Sequence, residues 1–178
     1  MAMLTHSPPT ELTLAPARAE DLGPIMAIER SPGFERWVGR SSEDEHRAMM
    51  AAENYAYLVG RAAGTGGAPG DIAGFAILRD LEDPHGNLYL KRIAVAPTDA
   101  GLGSAFLALV VDWTFAHEHV HRFWLDCFAS NARAQRVYEK CGFSRDGVLR
   151  EAYRDIDGLR RDLTMMALTR PQWLGRRR

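Results

Sequence analysis

The chain predicts a mixed α/β fold, one sheet with helices on both faces, from three observations. Strand-like segments in its first half can pair locally, later segments alternate strand, helix and strand, and no internal repeat or long low-complexity tract interrupts them. At 178 residues one domain is the default. A composition that is 46% hydrophobic and 25% charged buries a core without a metal or disulfide staple.

Glu11 to Leu14 alternates polar and apolar residues and opens the sheet, and Ala19 to Arg30 carries Leu22, Ile25, Met26 and Ile28 at helical spacing. Ser31, Pro32 and Gly33 break that helix. Ser42 with Glu45 three residues later forms a capping box for a second helix running to about Asn54. Tyr55 to Arg61 and Ile72 to Leu81 read as strands of a loose hairpin across Ala62 to Gly70. Asn87 to Val95 is a further strand, and Gly101 to about Ala116 a helix with Phe106, Leu109, Val110 and Trp113 on one face. Arg122 to Phe128, Asn131 to Lys140, Phe143 to Glu151 and Arg161 to Leu168 follow as strand, helix, strand, strand. The domain is assigned to 11–173, after a flexible lead over 1–10 and before a basic tail over 174–178.

Charge excludes several function classes. With 22 basic and 23 acidic residues the net charge is -1, so neither nucleic acid nor an anionic membrane is expected as partner. Cys127 and Cys141 are the two cysteines, at no zinc spacing. His117, His119 and His121 alternate near a helix end, where residues two apart do not share a face, so no metal is expected. The start carries no export signal and no apolar run is long enough to span a bilayer, so a cytoplasmic protein is expected.

Two places carry chemistry. Ile93, Ala94 and Val95 lead through Asp99, Ala100, Gly101, Leu102, Gly103 and Ser104 into a helix, whose first N–H groups and dipole suit a pyrophosphate. An ordinary strand-to-helix turn fits that stretch equally well. Phe106 stands where a dinucleotide fingerprint needs Gly or Ala, and no Gly-Lys-Ser/Thr exists for an NTPase loop.

In Phe123 to Phe128, alternation puts Trp124, Asp126 and Phe128 on one strand face. A carboxylate inside an apolar strand has either a structural mate or a job in a cleft. Ser130 or Asn131 caps the next helix, and Tyr138, seven residues after Asn131, shares its face two turns on. Tyr138 can protonate a leaving thiolate and Asp126 can take a proton, directly or through water. A packed tyrosine with a satisfied hydroxyl is the alternative.

Taken together, Arg92 to Val95, Gly101 to Leu107, Trp124 to Asp126, Asn131, Ala134, Tyr138-Glu139, Gly142-Phe143 and the stretches Gly147 to Arg150, Asp162 to Leu168 and Pro171 to Trp173 resemble the GNAT superfamily of acetyltransferases, in the RimI/RimJ/RimL-like branch. The resemblance implies a splayed, mostly antiparallel sheet of about seven strands. It implies acetyl-CoA as co-substrate, with Ile93, Ala94 and Val95 on its pantetheine, Asp99 to Ser104 around its pyrophosphate and Asn131 holding the arm. Tyr138 falls at the general-acid position, and Asp126 aligns with a glutamate thought to act as base. The implied activity is N-acetylation of a primary amine, either a small molecule or a protein N-terminus, and a homodimer is allowed. The Arg or Gln that usually opens the pyrophosphate turn is missing, and Asp99 adds negative charge there, which motivates a non-catalytic acyl-CoA-binding regulatory module as the alternative. Phe34, Trp37, Glu43 and Glu45 fall where such enzymes frame the acceptor.

Overall fold

The computed structural model describes residues 12–62, 71–96 and 101–177. Seven strands form one sheet: β1 (Leu12–Pro16), β2 (Tyr55–Ala62), β3 (Ile72–Arg79), β4 (Asn87–Val95), β5 (Arg122–Phe128), β6 (Ser144–Arg154) and β7 (Arg160–Thr169). Five helices accompany them: α1 (Leu22–Glu29), α2 (Glu43–Ala51), α3 (Leu102–Ala116), α4 (Ala132–Lys140) and α5 (Arg170–Arg176). The strand order is β1-β2-β3-β4-β5-β7-β6, and only β4 and β5 run parallel.

Period-two patterning divides the core. Leu58, Ala76 and Leu78 face α3, with Phe106, Val110 and Phe115, while Tyr57, Val59, Phe75 and Ile77 face α1, with Ile25 and Ile28. Both faces are therefore covered by helices. Phe106 is fully buried above a pair of glycines, Gly60 and Gly74, that oppose each other across β2 and β3. A Cβ on Gly60 would lie 2.6 Å from the Phe106 ring, so the glycine is required by the ring's seat.

The parallel pairing of β4 and β5 covers only Asn87, Leu88 and Tyr89 against Arg122, Phe123 and Trp124. Just beyond, the β3–β4 register jumps: Ile77 faces Arg92 while Leu78 faces Leu90, which leaves Lys91 as a bulge. A bulge bends its strand and raises its twist, which carries the end of β4 away from β5. The sheet splays there, and a cleft opens between the two strand ends.

A buried polar network holds α1 and α2 against the sheet. Glu29, 0% exposed, receives Arg92 from β4 on one oxygen and His46 Nε2 from α2 at 3.1 Å on the other, and His46 Nδ1 meets the Tyr57 hydroxyl at 3.0 Å. The Ser42–Glu45 capping box forms as the sequence predicts: Glu45 N–H donates to Ser42 Oγ at 3.2 Å and Ser42 N–H to Glu45 at 2.7 Å.

Several boundaries shift. Residues 19–21 form a 3-10 turn ahead of a shorter α1, and the second helix stops at Ala51. Leu174 to Arg176, read from the sequence as tail, continue α5, whose Arg170 guanidinium binds the carbonyls of Phe115, His117 and Val120 at 2.6–3.0 Å. Arg170 thereby satisfies carbonyls at the end of α3, and Trp173 stacks on Phe115 at 5.1 Å. No helix among the described residues is long and apolar enough to cross a membrane.

Candidate active site

The cleft between the ends of β4 and β5 has a volume of about 580 Å³. Ile93, Ala94 and Val95 form one wall, Gly101, Gly103, Ser104 and Leu107 at the start of α3 a second, Asn131, Ala132, Arg133, Ala134, Val137 and Tyr138 at α4 a third, and Pro32, Gly33, Phe34, Trp37 and Val38 the mouth. Of the residues singled out by sequence, Ile93, Ala94, Val95, Gly101, Gly103, Ser104, Asn131 and Tyr138 line it. The Leu102 side chain is buried, 7% exposed, at the first position of α3. Asp99 and Ala100 lie outside the described residues.

Each wall has a local cause. Ala96 N–H donates to Ala73 on β3 at 2.8 Å, so alternation turns the N–H groups of Ile93 and Val95 away from β3, toward the gap where β5 no longer pairs. Gly101 caps α3 with φ 73°, a left-handed conformation that a side chain would strain. The helix start it sets presents N–H groups and a positive dipole end to the cleft. Asn131 Oδ1 accepts from Ala134 N–H at 3.1 Å and caps α4, which leaves its amide N–H groups for another partner. The Cys141 thiol approaches the Ser104 carbonyl at 3.6 Å and ties α4 to α3.

Tyr138 lines the cleft, and its hydroxyl has no hydrogen-bond partner among the described residues. Burial, then the neighbouring Cys127 and Asp126, raise its phenol above the ordinary value, so it keeps its proton in alkaline solution. Its ring packs against the core, 6.0 Å from the Phe143 ring.

Asp126 does not line the cleft. Its Oδ1 accepts the Tyr89 hydroxyl at 2.5 Å, and the Tyr89 ring stacks on Trp124 at 4.3 Å with the Arg79 guanidinium 5.0 Å above it. Asp126 thus has a structural mate. Burial together with the hydrogen bond to Asp126 pushes the Tyr89 phenol up, so this proton stays on Tyr89. Lys91, on the bulge, is driven down by burial and by Arg92 and Arg79. Sequence reading missed Tyr89 and Lys91. The available signal was that Tyr89 lies level with Trp124 in a parallel pair, two residues from Asp126.

Phe34 and Trp37 line the mouth, whereas the acids expected beside them are engaged: Glu43 pairs with Arg47 and Glu45 holds the Ser42 cap. Among the described residues, no carboxylate lines the cleft, and Arg133 is its cationic lining residue. That lining fits an anionic, partly apolar ligand.

A family model described as an acetyltransferase (GNAT) domain matches residues 11–144, across the splayed sheet and most of the cleft. The chain belongs to the GNAT family. It is 38% identical over 101 residues to a ribosomal protein bS18-alanine N-acetyltransferase of Escherichia coli, a match spanning 56% of this chain and 65% of that relative. Among solved structures, the ribosomal-protein-S18-alanine N-acetyltransferase from Escherichia coli superposes with a TM-score of 0.70 at 29% identity, covering 89% of this chain and 94% of that one. Spermidine N-acetyltransferase from Vibrio cholerae, in complex with CoA and spermine, shares the fold with a TM-score of 0.78 at 22% identity, over 92% and 98% of the two chains.

Proposed function

We propose that this chain is an acetyl-CoA-dependent N-acetyltransferase acting on a primary amine, a small molecule or a protein N-terminus, in the cytoplasm. The observation that carries the reading is the convergence of Tyr138, Asn131, Val95 and the start of α3 on one cleft.

The residues present suit acetyl-CoA. N–H groups at the start of α3 receive pyrophosphate oxygens, Ile93, Val95, Leu107 and Val137 give apolar contact along the pantetheine arm, and Asn131 offers its amide. Bound there, acetyl-CoA supplies the thioester. The Val95 N–H polarises the carbonyl as the neutral amine nitrogen attacks it. The C–S bond then breaks, Tyr138 gives its proton to the departing sulfur, and the surplus amine proton leaves through water toward Asp126. A water relay is needed because Asp126 is short, outside the cleft lining and held by Tyr89. Alignment of the two substrates supplies much of the acceleration.

The test is thiol release from acetyl-CoA by the purified full chain across amines and N-terminal peptides, with product mass recorded. Release that depends on an acceptor supports the reading. Acetyl-CoA binding with no release for any acceptor assigns the chain to non-catalytic acyl-CoA binding instead.

A further inference from the structure

The strand that leads into the cleft also fastens the cleft's mouth. Because Lys91 is the extra residue of the β4 bulge, Leu90 joins Leu78 in the core under α3, while Arg92 falls opposite Ile77 and turns toward α1 and α2. Ile93, one residue on, packs back against the α3 core and lines the cleft. A single bulge thus aims two neighbouring side chains at opposite faces of the sheet.

The Arg92 side chain is 10% exposed, and its Nη1 donates to Glu29 and to the Ser41 hydroxyl, the latter at 3.4 Å. A Cβ on Gly39 would stand 2.9 Å from Nη2, and Gly39 is not left-handed, so the close pass of the guanidinium is what calls for glycine there. Arg30 ties the same stretch to the end of α1 by donating to the Ser41 carbonyl at 3.0 Å. Among the described residues, the Arg92–Ser41 contact is the only hydrogen bond that joins residues 31–41 to the sheet. The other backbone bonds of that stretch are local turns: the N–H groups of Trp37 and Val38 both donate to the Phe34 carbonyl at 3.0 Å. Such turns give the segment its shape but not its place over the cleft. A guanidinium suits the task because its planar fork meets several partners at once, where an ammonium is a point charge.

We propose that Arg92 is a positioning residue of the transferase described above: it pins the segment that carries Phe34, Trp37 and Val38 to β4 beside Ile93, and so sets the width of the mouth through which the acceptor amine reaches the thioester. The inference rests on that transferase reading for its kinetic readout. Arg92 touches no reacting atom and does not line the cleft. The residues that receive CoA, at the start of α3 and at Asn131, take no part in its contacts. Loosening the pin therefore acts on the acceptor and leaves the cofactor alone.

The test compares the full chain with Gly39→Ala, which pushes a methyl against the guanidinium but keeps every charge, and with Arg92→Lys, which keeps the charge facing Glu29 but loses the fork. Thiol release from acetyl-CoA is followed with spermidine, 2-phenylethylamine and an Ala-Ala-Ala peptide, and amide hydrogen exchange is read over residues 33–38. With the probe that the wild type turns over fastest, both variants are expected to raise the acceptor KM about tenfold, with kcat and the acetyl-CoA Kd within about twofold of wild type. Exchange over 33–38 speeds up in both, while exchange over β4 does not change. A merely structural role gives a different pattern: fewer active molecules, hence a lower apparent kcat and a lower binding stoichiometry, at an unaltered KM. That pattern, wild-type KM in both variants, or unaltered exchange over 33–38 overturns the inference. Failure of the transferase reading shows separately, as a wild type that turns over none of the probes, and the positioning role falls with it.

Discussion

The Tyr89 hydroxyl donates to Oδ1 of Asp126 across 2.5 Å, between two strands whose parallel pairing ends two residues before Asp126. Tyr89 therefore fixes the carboxylate at the point where the sheet parts. A carboxylate so held receives a proton through an ordered water more readily than by swinging to the substrate.

The pair should behave as one unit in turnover. Asp126→Asn is expected to lower kcat about tenfold to hundredfold with acetyl-CoA affinity retained, and Tyr89→Phe to lower it less. Because the two act together, the double variant should be no slower than Asp126→Asn alone. Steady-state kinetics on the four proteins check this, and additive losses would show that Tyr89 acts independently.

Tyr138→Phe should reduce kcat by about a hundredfold while the acetyl-CoA Kd changes less than twofold. The sign of the pH effect follows from the upward displacement of this phenol: the acid form persists beyond the ordinary tyrosine value. Activity should therefore show no Tyr138-dependent alkaline fall below about pH 10. A descending limb at lower pH that vanishes in Tyr138→Phe would contradict the assignment.

Arg92→Ala removes one partner of a fully buried carboxylate and leaves Glu29 with the buried His46 as its main partner. Breaking such a pair costs about 3 kcal/mol or more, readable in denaturant unfolding. The same network includes Tyr57, whose phenol burial pushes up to about 12. A folded value above the unfolded one means that the native state keeps a proton the unfolded state loses. Stability should thus decline as pH rises from about 10 toward 12, and less so in Tyr57→Phe.

Gly60→Ala should destabilise by about 1–3 kcal/mol, since the new Cβ meets the Phe106 ring at 2.6 Å. In a Phe106→Leu background the penalty should shrink, because the obstructing ring is gone. Thermal melts of the single and double variants measure the coupling.

Much of the fold was legible because periodicity and capping are local. The Ser42–Glu45 box, the strands Asn87–Val95 and Arg122–Phe128 and the Asn131 cap stand where the residues place them. Of the site, Tyr138, Asn131 and Val95 meet in one cleft as their motifs implied. What escaped was set by tertiary contact. The α5 helix is ordered by Arg170 reaching carbonyls of the α3 terminus more than 45 residues away, and Tyr89 is chosen by strand pairing across 37 residues. Leu102 sits within the glycine turn yet turns inward, a distinction that spacing does not encode.

Calorimetric titration of acetyl-CoA into the full chain and into Gly103→Leu tests the central claim most directly. Gly103 lines the cleft, and among the described residues its added Cβ would come near Val95 alone, at 3.8 Å, so the variant should fold while its side chain fills the space. The account predicts one saturable site in the wild type, lost in Gly103→Leu with its melting temperature retained. No saturable binding by the wild type, or equal binding by both proteins, would contradict it.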